Sequence, residues 1–126
     1  MLNSAEVNAL GQCLNDTWGE WSTKASPTMS IKASLSGDVL ECKYISIVTL
    51  PQGYHDKTSL DMNKEQSTQI TNSFMKTLKS RFKKDTGRPI KVKQLGTNDS
   101  LEMITYSAYS PKRNAYYRRT TTYRVE

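Results

Sequence analysis

The chain is poor in the residues that most often carry chemistry, with one histidine, His55, and two cysteines, Cys13 and Cys42, among 126 residues. The cysteines lie far apart without a Cys-x-x-Cys spacing, and His55 is the single nitrogen ligand available to join them, so no metal site is expected. Both sit beside apolar neighbours in regular structure, which predicts buried free thiols. A disulfide stays open at this point, because pairing depends on distance. The six glycines are dispersed, with Gly87 and Gly96 standing alone, and form no phosphate-cradling loop. Carboxylates are scattered, neither cysteine has an activating partner in its surroundings, and His55 beside Asp56 and Tyr54 has the pattern of a surface pair rather than a general base. The expectation is a protein that is not an enzyme and carries no cofactor; the remaining enzymatic reading would place a cleft near His55. No run approaches the ~20 apolar residues that span a bilayer, and Met1-Leu2-Asn3-Ser4 lacks the basic and apolar regions of a signal peptide. An intracellular product with no membrane partner is expected.

What the chain does have is charge, unevenly placed. Residues 1–63 carry seven acidic and four basic side chains, whereas residues 64–126 carry fourteen basic and five acidic ones. Such a split predicts an anionic partner for the second half, or a neighbouring copy whose acidic half meets it. At 36% apolar residues the chain is polar for a globular domain yet not disordered, and its length suits one domain over 1–126 with a modest core.

Asn3 followed by Glu6 has the spacing of a capping box, and Val7, Leu10, Leu14 and Trp18 recur at helical spacing, with Gly19 as the expected stop. Met29, Ile31, Ala33 and Leu35 alternate with polar residues as in a half-buried strand, and Ser36-Gly37-Asp38 is a hairpin turn. The returning strand points Leu40, Cys42 and Tyr44 inward. Its register then blurs at Ile45, Ile47 and Val48, which predicts a bulge near Tyr44. Pro51 to Asp61 is expected to be the longest loop. Asn63 with Gln66 marks a second helix start, Ile70, Phe74, Leu78 and Phe82 its buried side, and Gly87 before Pro89 its end. Ile90 and Val92 form a short strand, Gly96 to Asp99 a turn, Leu101 to Tyr109 a strand, and Tyr116 to Val125 a last strand rich in Tyr, Thr and Val. The predicted class is α+β, in the order α-β-β-α-β-β-β, with an antiparallel or mixed sheet, both helices on one face and the other face polar and available.

Two basic constellations stand out. Lys76, Lys79 and Lys83 fall at i, i+3 and i+7 on one side of the second helix, with Lys84 and Arg88 continuing past it, as a solvated face or an anion or nucleic-acid contact. The C-terminal segment interleaves Lys112, Arg113, Arg118, Arg119 and Arg124 with Tyr106, Tyr109, Tyr116, Tyr117 and Tyr123. Arg and Tyr together are enriched at protein interfaces and also serve nucleic-acid surfaces. No RNP-like aromatic motif and no Gly-x-x-Gly loop is present, which favours the protein interface. The expected interface residues are therefore Tyr109, Arg113, Tyr116, Tyr117, Arg118, Arg119, Tyr123 and Arg124, with residues 110–126 as a subunit-contacting arm or edge strand.

The capped start Leu2-Asn3-Ser4-Ala5-Glu6-Val7-Asn8-Ala9-Leu10 and the Thr/Tyr/Arg-rich run Asn114 to Tyr123 resemble small virion proteins of tailed bacteriophages. The resemblance implies a structural or assembly subunit in a capsid, neck or tail, assembled in the host cytoplasm. Its partners would be other copies of itself and neighbouring virion proteins, with nucleic acid a further candidate. The alternative is a small basic nucleic-acid-binding or regulatory protein.

Overall fold

The computed structural model describes the backbone over residues 2–24, 29–51, 56–105 and 112–126, and side chains over 2–21, 30–48, 61–102 and 114–126. Six elements follow one another: α1 Ser4–Lys24, β1 Met29–Ser36, β2 Val39–Pro51, α2 Asp56–Thr86, β3 Val92–Thr105 and β4 Lys112–Val125. The four strands form one antiparallel sheet in the order β1-β2-β4-β3. The class is α+β, with four strands instead of the expected five.

Helix α1 starts as its first residues dictate. The Asn3 side chain accepts a hydrogen bond from the Glu6 N–H at 2.8 Å, and the Glu6 carboxylate accepts one from the Asn3 N–H at 3.1 Å. This reciprocal capping box satisfies two donors that the first turn leaves without partners. Gly19 does not stop the helix, which runs to Lys24, because Trp21 beyond it still packs on the core. Helix α2 begins well before Asn63, at Asp56, and is 31 residues long, about 46 Å. The long loop expected from Pro51 to Asp61 is therefore absent. β2 reaches Pro51, and only 52–55, with His55 among them, lie outside the described residues between it and α2. Asn63 is buried inside the helix instead of capping it. The C-terminal end matches its sequence signal, as Gly87 adopts a φ of 76° and its N–H bonds the Lys83 carbonyl at 2.8 Å.

β1 and β2 form a hairpin in which Ser36 faces Val39 across Gly37-Asp38, and Gly37 has a φ of 61°. Positive φ at the first central position alone is the II′ arrangement, whose twist suits the flanking strands. The pairing of β2 with both neighbours runs unbroken past Tyr44, so the expected bulge there is missing. Leu40, Cys42, Tyr44 and Ser46 are buried toward the helices, and strict alternation sends Ile45 and Ile47 to the opposite face. The irregularities fall in β3, between Gln94 and Gly96 and again between Met103 and Thr105. Gly96 to Asp99 is thus no turn but part of one long strand, with Leu95 as the extra residue of a bulge. The bulge changes which residues face the helices: Val92 and Gln94 before it, Thr97, Asp99 and Leu101 after it.

The core lies between the helices and the inner face of the sheet. Leu10, Cys13 and Leu14 of α1 meet Phe74, Leu78 and Phe82 of α2 and Ile31, Leu40, Cys42 and Val125 of the strands. Trp21 packs edge-on against Phe74 with ring centroids 6.1 Å apart. Both cysteines are free and buried. Burial, and next to it the hydrogen bond to Asp85, pushes the Cys13 thiol up to about 11, and burial pushes Cys42 to about 12.

β4 does not stand at an edge. It pairs with β2 on one side and β3 on the other, so residues 112–125 form an inner strand of the sheet and do not extend from it as an arm. Tyr and Thr side chains on its inner face make this possible, since Tyr117, Thr121, Tyr123 and Val125 are buried against the helices. The charge split between the chain halves is also partly closed within the fold. Glu6 pairs with Arg88, Glu20 with Arg81 and Asp38 with Arg124.

Candidate interface surfaces

Alternation along β4 divides the expected interface residues between two faces. Tyr117, Arg119 and Tyr123 point inward, and Tyr116, Arg118 and Arg124 point outward. Tyr109 lies outside the described residues. Arg113 is placed by its backbone opposite Leu50, and its side chain lies outside the described set.

The inward group is structural. Register sets Tyr44, Arg119 and Asp99 side by side across three strands. Tyr117 donates its hydroxyl proton to Asp99 Oδ1 at 2.6 Å and lies 3.2 Å from Ser67 Oγ of α2. The Arg119 guanidinium, 14% exposed, sits 3.7 Å from the same carboxylate and donates to the Lys64 carbonyl, while Lys64 Nζ approaches Asp99 Oδ2 at 3.8 Å. One carboxylate thus gathers a phenol, a guanidinium and an ammonium between α2 and the sheet. Burial raises the Tyr117 hydroxyl above its ordinary 10.0, and the hydrogen bond to Asp99 adds to the shift. Tyr44 stacks edge-on with Tyr117 at 5.9 Å. The buried Tyr44 hydroxyl has no hydrogen-bond partner.

The outward group belongs to the face of the sheet turned away from α1 and α2. Ile45 faces Arg118 directly across the β2–β4 pairing, and Ile47 faces Tyr116. The Arg118 guanidinium lies over the Tyr116 ring, 5.2 Å from its centroid, and its Nη1 is 3.3 Å from Glu102 on β3. Ile47 is 37% exposed, and Ile45 and Tyr116 are half-buried. Around this cluster the face is polar: Ser30, Lys32 and Ser34 from β1, Lys43 and Glu41 paired at 3.4 Å on β2, and Thr120, Thr122, Asn98 and Ser100 beyond. The sequence does not single out Ile45 and Ile47 as surface residues, because apolar side chains are read as core. The signal that identifies them is the period of two itself, which sends every odd residue of β2 outward once Leu40 is fixed inward.

The lysine ridge of α2 is exposed at Lys76, Lys79, Lys83 and Lys84. None of the four pairs with a carboxylate among the described residues. Arg88 is not part of it, since its guanidinium is taken by Glu6 of α1, and Arg81 is likewise taken by Glu20. The same contact with Arg88, followed by the Asn3 N–H, holds the Glu6 carboxyl below its ordinary value.

No protein-family model and no curated protein matches the chain. Among the described residues no helix is long and apolar enough to cross a membrane, and no three His, Cys, Asp or Glu side chains gather as metal ligands would.

Proposed function

We propose that the chain is a structural or assembly subunit of a phage-like virion, a capsid, neck or tail component, that works by docking and not by turnover. The observation that carries this reading is the outer face of the sheet, turned away from both helices, where among the described residues Ile45, Ile47, Tyr116 and Arg118 make a compact cluster within a polar surround. An apolar centre with Tyr and Arg anchors and a hydrophilic rim is the composition of a protein interface. The anchors are also held in place before any partner arrives, because a strand backbone fixes their spacing and the cation–π contact orients Arg118, so little side-chain entropy is lost on docking. The expected partner is another copy of the chain or a neighbouring virion protein. The virion setting rests on the resemblance of the two chain ends to small tailed-phage proteins.

Docking is therefore assigned to the middle of the outer face and not to a C-terminal arm. Sedimentation velocity over a hundredfold range of concentration tests it, on the wild-type chain and on Ile47→Glu with Arg118→Glu. The wild type is expected to associate with rising concentration. The double variant, its circular dichroism unchanged, is expected to stay monomeric, since a buried like-charge pair at a contact centre costs several kcal/mol. Equal association of both proteins, or a wild type that remains monomeric throughout, rejects the reading.

A further inference from the structure

On the opposite side of the molecule from the outer sheet face, α2 and the start of β3 enclose a groove of ≈ 340 Å³. Its floor is apolar: Met75 and Tyr123 are buried there and Val92 is half-buried. Its walls are the side-chain amides of Asn72 and Gln94, and its rim carries Lys76 and Lys79. The Gln94 amide nitrogen donates to Thr97 Oγ1 at 2.8 Å, which leaves its oxygen as an oriented acceptor. The groove exists because Gln94 lies inward just before the β3 bulge, opposite Tyr123, where α2 passes without covering the edge strand.

We propose that this groove takes one nucleotide of a single-stranded nucleic acid, with the adjoining phosphates running along the lysine ridge. A thioether and a phenol ring form a floor suited to a flat, polarizable ring, and the two amides offer the donors and acceptors that read a base edge. The volume lies at the small end of ligand pockets and suits a single base better than a larger ligand. The lysines supply the charge. From Gln66 to Lys84 the helix holds no acidic residue, and Lys76 to Lys83 spans about 10 Å of helix, with Lys76 and Lys84 also bordering a second, shallower hollow beside Thr77 and Ser80. A duplex keeps its bases stacked and would leave the groove empty, so a single strand is the form that uses both features. An acidic protein would use the lysines alone.

Fluorescence anisotropy of labelled 15-nucleotide oligo(dA) and oligo(rA) with the full chain tests the assignment. Binding is expected at low salt, with a log–log salt slope of about −2 for some three phosphate contacts on a single strand. Lys76→Ala with Lys79→Ala should weaken it by about tenfold or more and flatten the slope, and Gln94→Ala should weaken it while leaving the slope unchanged. The outer-face variant Ile47→Glu should bind as the wild type does, which separates failure of this site from failure of the docking reading. Three results overturn the proposal: no binding of either strand at low salt, wild-type affinity in the double lysine variant, or equal competition by a 15-base-pair duplex or by poly-glutamate.

Discussion

Asp99 stands where Tyr117, Arg119 and Lys64 converge, and its removal leaves a guanidinium in the interior without a counter-charge. Asp99→Ala is expected to cost about 3 kcal/mol, read from urea unfolding. Tyr44→Phe, at the ring packed edge-on against Tyr117, is expected to be neutral or stabilising by up to about 1 kcal/mol, because the hydroxyl it deletes has no partner. A buried acid that folding holds neutral makes the fold sensitive to base. Burial raises Tyr44, Tyr117 and Tyr123 above 10.0, and Cys13 and Cys42 from 9.0 to about 11 and about 12. In the unfolded chain these groups lose protons first, so the unfolded state is favoured as pH rises. Stability owed to them is complete below pH 9 and is lost above it, by at most about 1.4 kcal/mol per pH unit for each group. The urea midpoint should hold from pH 7 to about 8.5 and fall beyond 9; a midpoint that stays level to pH 11 contradicts the assigned burial. None of these tertiary contacts is legible in the sequence, since Asp99 meets Arg119 and Tyr117, and Tyr117 meets Ser67, only after β3, β4 and α2 have come together. The capping box of Asn3 and Glu6 and the Gly87 stop are legible, because each acts within four residues.

At the level of elements, β4 is the strand on which the sheet depends. It forms the ladder with β2 along thirteen residues and holds β3, which among the described residues pairs with no other strand. Deleting residues 112–126 should therefore abolish the cooperative thermal transition and the strand signal in circular dichroism. A truncated chain that keeps a native-like melt would mean that β4 is dispensable. The Thr, Tyr and Arg of this segment, polar on both faces, have the sequence character of an exposed edge. Their inner set is buried because phenols and threonine methyls fill the space beneath α2, while Ser67 and Asp99 satisfy the Tyr117 hydroxyl. The reverse error arises in β2, where apolar Ile45 and Ile47 have the sequence character of core and lie outside. Helix α2 shows a third cause: its first two turns carry polar residues with no apolar period, and a helix there is recognisable only from its continuation into Ile70 and Phe74.

For the whole molecule, two surfaces stand out among the described residues: an outer sheet face with an isoleucine, tyrosine and arginine centre, and a lysine-edged groove behind it. The sequence shows the charge asymmetry and the class of fold. It does not show that three acids of the first half are neutralised by bases of the second within one copy, nor which residues face outward, because both depend on how the helices lie on the sheet. If copies dock through the outer face as proposed, a cysteine placed there becomes occluded on assembly. Thr120→Cys on the outer face and Glu65→Cys on the exposed side of α2 can each be alkylated with iodoacetamide, the two native thiols staying silent through burial. At high protein concentration the reagent should reach Thr120→Cys at least about tenfold more slowly than in dilute solution, while Glu65→Cys reacts at one rate in both. Equal rates for Thr120→Cys at the two concentrations would contradict docking through this face.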